Sequence, residues 1–264
     1  MSHRISGLPP PSSCAASQEE PVMGHRVGIR AEGLTKTLGM RTVLRGVNLA
    51  IIAGECVVVR GDNGTGKTTL LRCLAGLVRL DAGHVQWFGR SPVETAAHLL
   101  IGMVAHESHL YPHLTLRENL ILTGRLYGVS GPTRRASLWL EAAGLNEHAD
   151  RLPREVSQGM RRRTSLARAL VHEPPILLLD EPFSGLDQAG REWLCDLLLE
   201  RQRQGRTTCL VTHEDPTTPH LADRALELRS GRLSASTGSS SARETDAGIA
   251  ASSLPRACHA EVTA

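Results

Sequence analysis

The chain has 264 residues, of which 41% are hydrophobic, 22% charged and only 3% aromatic, with a formal net charge of +3. That length holds one large domain or two small ones around a proper apolar core. Its longest apolar runs, such as Ile176–Leu179 and Val57–Val59, are strand-sized, which excludes a membrane-spanning helix of roughly 18–20 residues, and so small a charge argues against a dedicated nucleic-acid binder.

Residues 1–26 carry Pro9–Pro11 and small polar residues without strand or helix period, and they predict a disordered extension with no secretory h-region. From about Val27 to Leu233 strands and helices alternate. Strands are expected over Val27–Leu34, Val47–Ile52, Cys56–Arg60, His84–Phe88, Leu100–Ala105, Ile176–Asp180, Thr207–Thr212 and Arg224–Arg229. Helices are expected to begin near Gly66, Ser157 and Gln188. This order predicts an α/β fold with a mainly parallel sheet. Between Leu116 and Pro153, apolar residues at helical spacing (Leu116, Leu120, Leu138, Leu140, Ala143) read as a helical insertion. The Ser-, Ala- and Thr-rich stretch 234–264 reads as a disordered tail, with a partner-docking segment as the alternative. Six cysteines, none in a C-x-x-C pair, read as reduced, and Cys56 and Cys209 sit in apolar runs as small hydrophobes.

Among thirty basic residues lysine stands only at 36 and 67, leaving 28 arginines. One of the two lysines closes Gly61-Asp62-Asn63-Gly64-Thr65-Gly66-Lys67-Thr68, which fits G-x-x-x-x-G-K-[ST] between a strand and a helix. Glycines let backbone N–H groups turn toward phosphate oxygens, and the helix N-terminus adds partial positive charge. Gly61 through Thr69 are therefore expected to bind nucleotide, with Lys67 at the β- and γ-phosphates and Thr68 on Mg²⁺. The apolar run Ile176–Leu179 delivers Asp180 and Glu181 to a strand's carboxyl end, where open α/β sheets bind ligands. Asp180 suits the magnesium side, and Glu181 is the candidate general base for an attacking water.

Val156-Ser157-Gln158-Gly159-Met160 resembles the signature segment of ATP-binding-cassette (ABC) ATPases, Ser184-Gly185-Leu186-Asp187 their D-loop, and His213 after an apolar strand their switch histidine. The resemblance covers about Val27–Leu233. It implies a P-loop ATPase core with an antiparallel β subdomain and a helical subdomain at about 107–156. It implies ATP and Mg²⁺ as cofactors, and catalysis by Glu181, His213 and Lys67. It also implies a head-to-tail homodimer, or pairing with a second such ATPase, in which Ser157, Gln158, Gly159 and Met160 meet the partner's nucleotide and Asp187 belongs to the D-loop.

Three features depart from the family pattern. His106, within Val104-Ala105-His106-Glu107-Ser108, stands where the family has glutamine, and a neutral imidazole there could ligate the metal or link the nucleotide to a membrane partner. Leu38 replaces the adenine-stacking aromatic, which leaves the discrimination between ATP and GTP open. Gln158 and Met160 replace glycine and glutamine, a change expected to weaken closure. The run Arg161–Arg163 fans across about 200° of a helix and reads as a solvated or locally paired face, with no nucleic-acid partner.

The short cassette, the VAHES segment and Ser157–Leu170 (SQGMRRRTSLARAL) are similar to the heme-exporter ATPase subunits of cytochrome c maturation. That similarity implies a peripheral subunit on the cytoplasmic face of the inner membrane, driving a separate integral permease. The alternatives are the ATPase of another exporter, moving a drug, lipid or polysaccharide precursor, and a soluble cassette ATPase acting on ribosomes or DNA.

Overall fold

The computed structural model describes residues 27–94, 96–213 and 220–235; the expectations for 1–26 and for the tail beyond Ala235 lie outside them. Two sheets and a helical layer make up the fold. In the first sheet, β1 (Val27–Leu38) lies between β2 (Arg41–Ile52) and β4 (Ala82–Trp87), all antiparallel. The second sheet has the order β5-β6-β7-β3-β8-β9, built from β3 (Cys56–Arg60), β5 (Ile101–Val104), β6 (Ile176–Asp180), β7 (Thr207–Thr212), β8 (Arg224–Arg229) and β9 (Arg232–Ala235). Its first five strands are parallel, and β9 pairs antiparallel with β8.

β6 and β7 are buried along their whole length because both sheet faces are covered. With a side-chain period of two, alternate residues enter different cores. Leu177, Leu179 and Leu210 pack with the helical layer, whereas Ile176, Leu178, Cys209 and Val211 pack with α1 (Lys67–Leu74) and the antiparallel sheet. The insertion folds as α2 (Leu116–Leu126) and α3 (Pro132–Ala142). Thr115 and Glu118 close the start of α2 reciprocally: the Thr115 hydroxyl accepts from the Glu118 amide and the Glu118 carboxylate from the Thr115 amide. Arg135 of α3 pairs with Glu173, tying the insertion to the core. The remaining helices are α4 (Gln158–Leu170) and α5 (Gln188–Arg203).

Four strands match their expected bounds to the residue. α1 ends at Leu74, because Gly76 at φ 69° leaves helical geometry. β9 runs to Ala235, past the expected start of the tail at 234. It is a short, half-exposed edge strand without an apolar alternation to announce it.

Candidate functional site

All five parallel strands point their carboxyl ends the same way, so the segments after β3, β5, β6 and β7 converge. There they line a cavity of about 540 Å³ whose walls include Leu38, Asn63, Gly64, Lys67, Thr68, Thr69, His106, Asp180, Glu181 and His213. Gly66 heads α1 at φ 106°, and a Cβ there would lie 2.6 Å from Val43 Cγ1, so only glycine fits. No side chain caps this helix, which leaves its first N–H groups open to an anion.

Lys67 is 7% exposed. Its ammonium donates to the Gly61 carbonyl at 2.7 Å and the Asp62 carbonyl at 3.0 Å, and stands 4.0 Å from Glu181 Oε1. Thr65 donates its hydroxyl to the Asp62 carbonyl. Gly61, Asp62 and Thr65 thus shape the loop, while Asn63, Gly64, Gly66 and Lys67 through Thr69 face the cavity.

Asp180 is 1% exposed and its Oδ2 has no hydrogen-bond partner. An unpaired buried carboxylate is costly, and with the Thr68 hydroxyl in the same cavity it offers a hard oxygen pair that fits Mg²⁺. Among the described residues no group of three or more His, Cys, Asp or Glu could hold a metal alone, so such an ion would complete its shell with phosphate and water.

Glu181 Oε2 accepts from the Thr212 hydroxyl at 3.1 Å and from His213 Nδ1 at 3.0 Å. Its backbone sits at φ 46°, a left-handed conformation that a non-glycine residue adopts at a cost of about 1 kcal/mol. That turn carries the carboxylate from the strand end to Lys67 and His213. Glu181, His213 and Lys67 are therefore one cluster.

The signature residues lie apart from this cavity. Ser157 caps α4, its hydroxyl accepting from the Met160 amide at 3.2 Å, and Asp187 caps α5 by accepting from the Gly190 amide at 2.9 Å. Ser157 and Gln158 are exposed. Gly159 is close-packed: a Cβ there would lie 3.1 Å from the Gly185 carbonyl, and one at Gly185 would lie 3.0 Å from the Gln158 amide. The departure at Gln158 therefore covers the D-loop turn of its own chain. A second cavity of about 260 Å³ lies between Gln158 and Arg162 on one side and His106 and Ser184 on the other; His106 and Ser184 line both cavities.

Two residues of the arginine run are locally paired. Arg161 donates to the Pro153 and Val156 carbonyls and Arg163 to the Ala143 carbonyl. Arg162 departs from a solvated face: it is 4% exposed and bonded only to backbone carbonyls. Burial pushes its pKa down to about 10, opposed by the charges of Asp180 and Glu181, so it stays a cation at neutral pH. The sequence signal was its place on the inner stripe of α4, with Ser165, Leu166 and Ala169 at helical spacing. Ser184, which heads the segment resembling the D-loop, and Val43 also line the larger cavity, and Val43 carried no sequence signal.

Comparison with known proteins places these features in a family. The ABC transporter family model matches residues 44–184. The Nod factor export ATP-binding protein I of Burkholderia lata is 38% identical over 75% of this chain, and the chain spans 66% of that relative's length. The aliphatic sulfonates import ATP-binding protein SsuB 2 of Paraburkholderia xenovorans is 39% identical over 87% of this chain and 88% of its own. Among solved structures, a dimeric ATP-binding cassette in a post-hydrolysis state, bound to ADP and Pi, superposes with a TM-score of 0.72 at 28% identity, covering 78% of this chain and 98% of that one.

Proposed function

The chain belongs to the ABC transporter family as an ATP-binding subunit, and on that premise we propose that it hydrolyses ATP to drive export of heme through a separate permease, for cytochrome c assembly. The observation that carries the chemistry is the single cluster of Lys67, Asp180, Glu181 and His213 at one end of the parallel sheet. Lys67 and the open start of α1 hold the β- and γ-phosphates. Thr68 and Asp180 would hold Mg²⁺, which screens phosphate charge when bound, and His106 is a further candidate ligand. Glu181, oriented by Thr212 and His213, accepts the proton of the water that attacks the γ-phosphorus.

Ser157 is exposed and Gly159 half-buried beside it, both outside the cavity of their own chain. This supports a head-to-tail pair in which they complete the partner's site, so that ATP binding closes the pair and hydrolysis opens it. No helix among the described residues is long and apolar enough to cross a membrane; the permease is a separate chain in this reading, met at the cytoplasmic face. His106, shared by both cavities, links nucleotide and permease. His106→Ala is expected to lose stimulation of turnover by the permease, and unchanged stimulation removes His106 from that link.

Heme rests on the VAHES and SQGMRRRTSLARAL segments and their similarity to heme-exporter subunits. A second reading, export of a drug, lipid or polysaccharide precursor, is favoured by the 38% identity to a Nod factor export protein. Gentle solubilisation of membranes bearing the tagged chain, followed by mass spectrometry of what copurifies, separates them. A permease with cytochrome c assembly proteins supports heme; an unrelated permease moves the cargo to the second reading.

A further inference from the structure

The β5–β6 ladder ends at Val104 and Leu179, and beyond it the two strands diverge. The Arg162 guanidinium fills the gap. Its Nη1 donates to the carbonyls of Ala105 at 2.5 Å and His106 at 3.1 Å. Its Nη2 donates to those of Asp180 at 2.5 Å and Glu181 at 2.8 Å, and its Nε to Pro182 at 3.4 Å. Five carbonyls from two segments thus meet one side chain of α4. A buried cation with no carboxylate in this hydrogen-bonded set is an expensive way to fill space, since an apolar side chain of similar volume is often as stabilising or more so. What the planar fork supplies is geometry: five donors in fixed directions, which lysine cannot reproduce.

From this we infer that Arg162 is a positioning residue for hydrolysis, coupling the signature helix to the catalytic glutamate of the same chain. Glu181 needs its left-handed backbone to aim the carboxylate at Lys67 and His213, and Arg162 holds the carbonyl on that residue and on the one before it. The same guanidinium grips His106, so the two segments that flank the γ-phosphate end move with one group. Arg162 follows Ser157 by five residues on one rigid helix. A shift of α4 when Ser157 and Gly159 take up the partner's nucleotide therefore reaches Glu181 and His106 directly. This coupling rests on the head-to-tail pairing proposed above; the positioning of Glu181 does not.

The test is ATP turnover and ATP-induced pairing of the full chain with Arg162→Lys and Arg162→Ala, with Arg163→Ala as the control. In Arg162→Lys, kcat is expected to fall about 100-fold, the cost of a misplaced catalytic group, with KM for ATP within about threefold and the Hill coefficient falling toward one. Millimolar guanidinium should restore at least about a tenth of the lost kcat to Arg162→Ala, because the cation can reoccupy the five-carbonyl site. Arg163→Ala should turn over as the parent does. Parental kcat and cooperativity in Arg162→Lys overturn the inference. So does loss of folding in both variants without rescue by guanidinium, which assigns Arg162 to packing alone. A parental chain that turns over without pairing removes the head-to-tail reading, and guanidinium rescue then still tests the positioning of Glu181.

Discussion

Two helix N-termini in this protein are built from similar parts and do opposite things. α1 begins at Gly66 with no side-chain cap, under a cavity and beside a lysine, so its amides stay open to phosphate. α4 begins at Ser157, whose hydroxyl already accepts from the Met160 amide, on an exposed surface. The first is a finished half-site within one chain. The second is satisfied by its own cap. A helix N-terminus becomes a ligand site when its neighbours leave the N–H groups unpaired and exclude water.

The largest effect should come from removing the charge at the finished end. Lys67→Ala is expected to lower kcat/KM for ATP at least about 100-fold, since a charge-assisted contact to the β- and γ-phosphates is lost. Unchanged ATP affinity in a fluorescent-nucleotide titration would show that α1 alone holds the phosphates. Glu181→Gln comes next. It should bind ATP as before, hydrolyse it about 10²–10⁴-fold more slowly, and accumulate as an ATP-bound pair by light scattering. Parental turnover in that variant would demand another base.

At the second helix the expected loss is smaller. Ser157→Ala removes a cap worth about 1 kcal/mol, lowering the melting temperature by a few degrees. It should leave ATP binding to the single chain intact while reducing cooperative turnover about tenfold, as a lost transition-state donor does. An equal loss of binding and turnover would mean that Ser157 acts within its own chain and would erase the contrast between the helices.

A last effect, read in the pH dependence of stability and leaving both helix ends untouched, lies where the helical insertion meets the core. His172 stacks on Tyr127 with ring centroids 3.8 Å apart, and its Nε2 donates to the Ile101 carbonyl at 3.1 Å. Burial pushes its pKa down to about 4, and its buried Nδ1 has no partner to receive a proton. The folded state therefore binds fewer protons than the unfolded chain between the ordinary histidine pKa near 6.5 and about 4. Stability should rise with pH through that window and fall as pH drops, by up to roughly 3 kcal/mol. His172→Phe should flatten the pH dependence of the melting temperature between those limits, and an unchanged slope would place the acid sensitivity elsewhere.

The part of the site that could be read in advance is the part made of contiguous residues. A phosphate loop is one run of eight, and Asp180 and Glu181 end one apolar strand, so local pattern and chemistry coincide. His106 and His213 could be placed only by resemblance, since a lone histidine at a strand end carries no signal of its own. Within the arginine run, Arg162 alone departed from the expected face, for a related reason. Charge predicts solvent, and only the packing of α4 against two carbonyl-rich strand ends makes burial of Arg162 affordable.

By itself the sequence determined the strand–helix alternation, the nucleotide loop and the acidic strand end, because each is encoded within a few neighbouring residues by period, glycine and charge. The tertiary structure decided which of these meet. It brought His213 to Glu181 across 32 residues and Arg162 to Ala105 across 57, and it left Ser157 on the outside. Those choices follow from the parallel order β5-β6-β7-β3, which gathers the carboxyl ends of distant strands, and from burial of α4, and neither is stored in a local pattern.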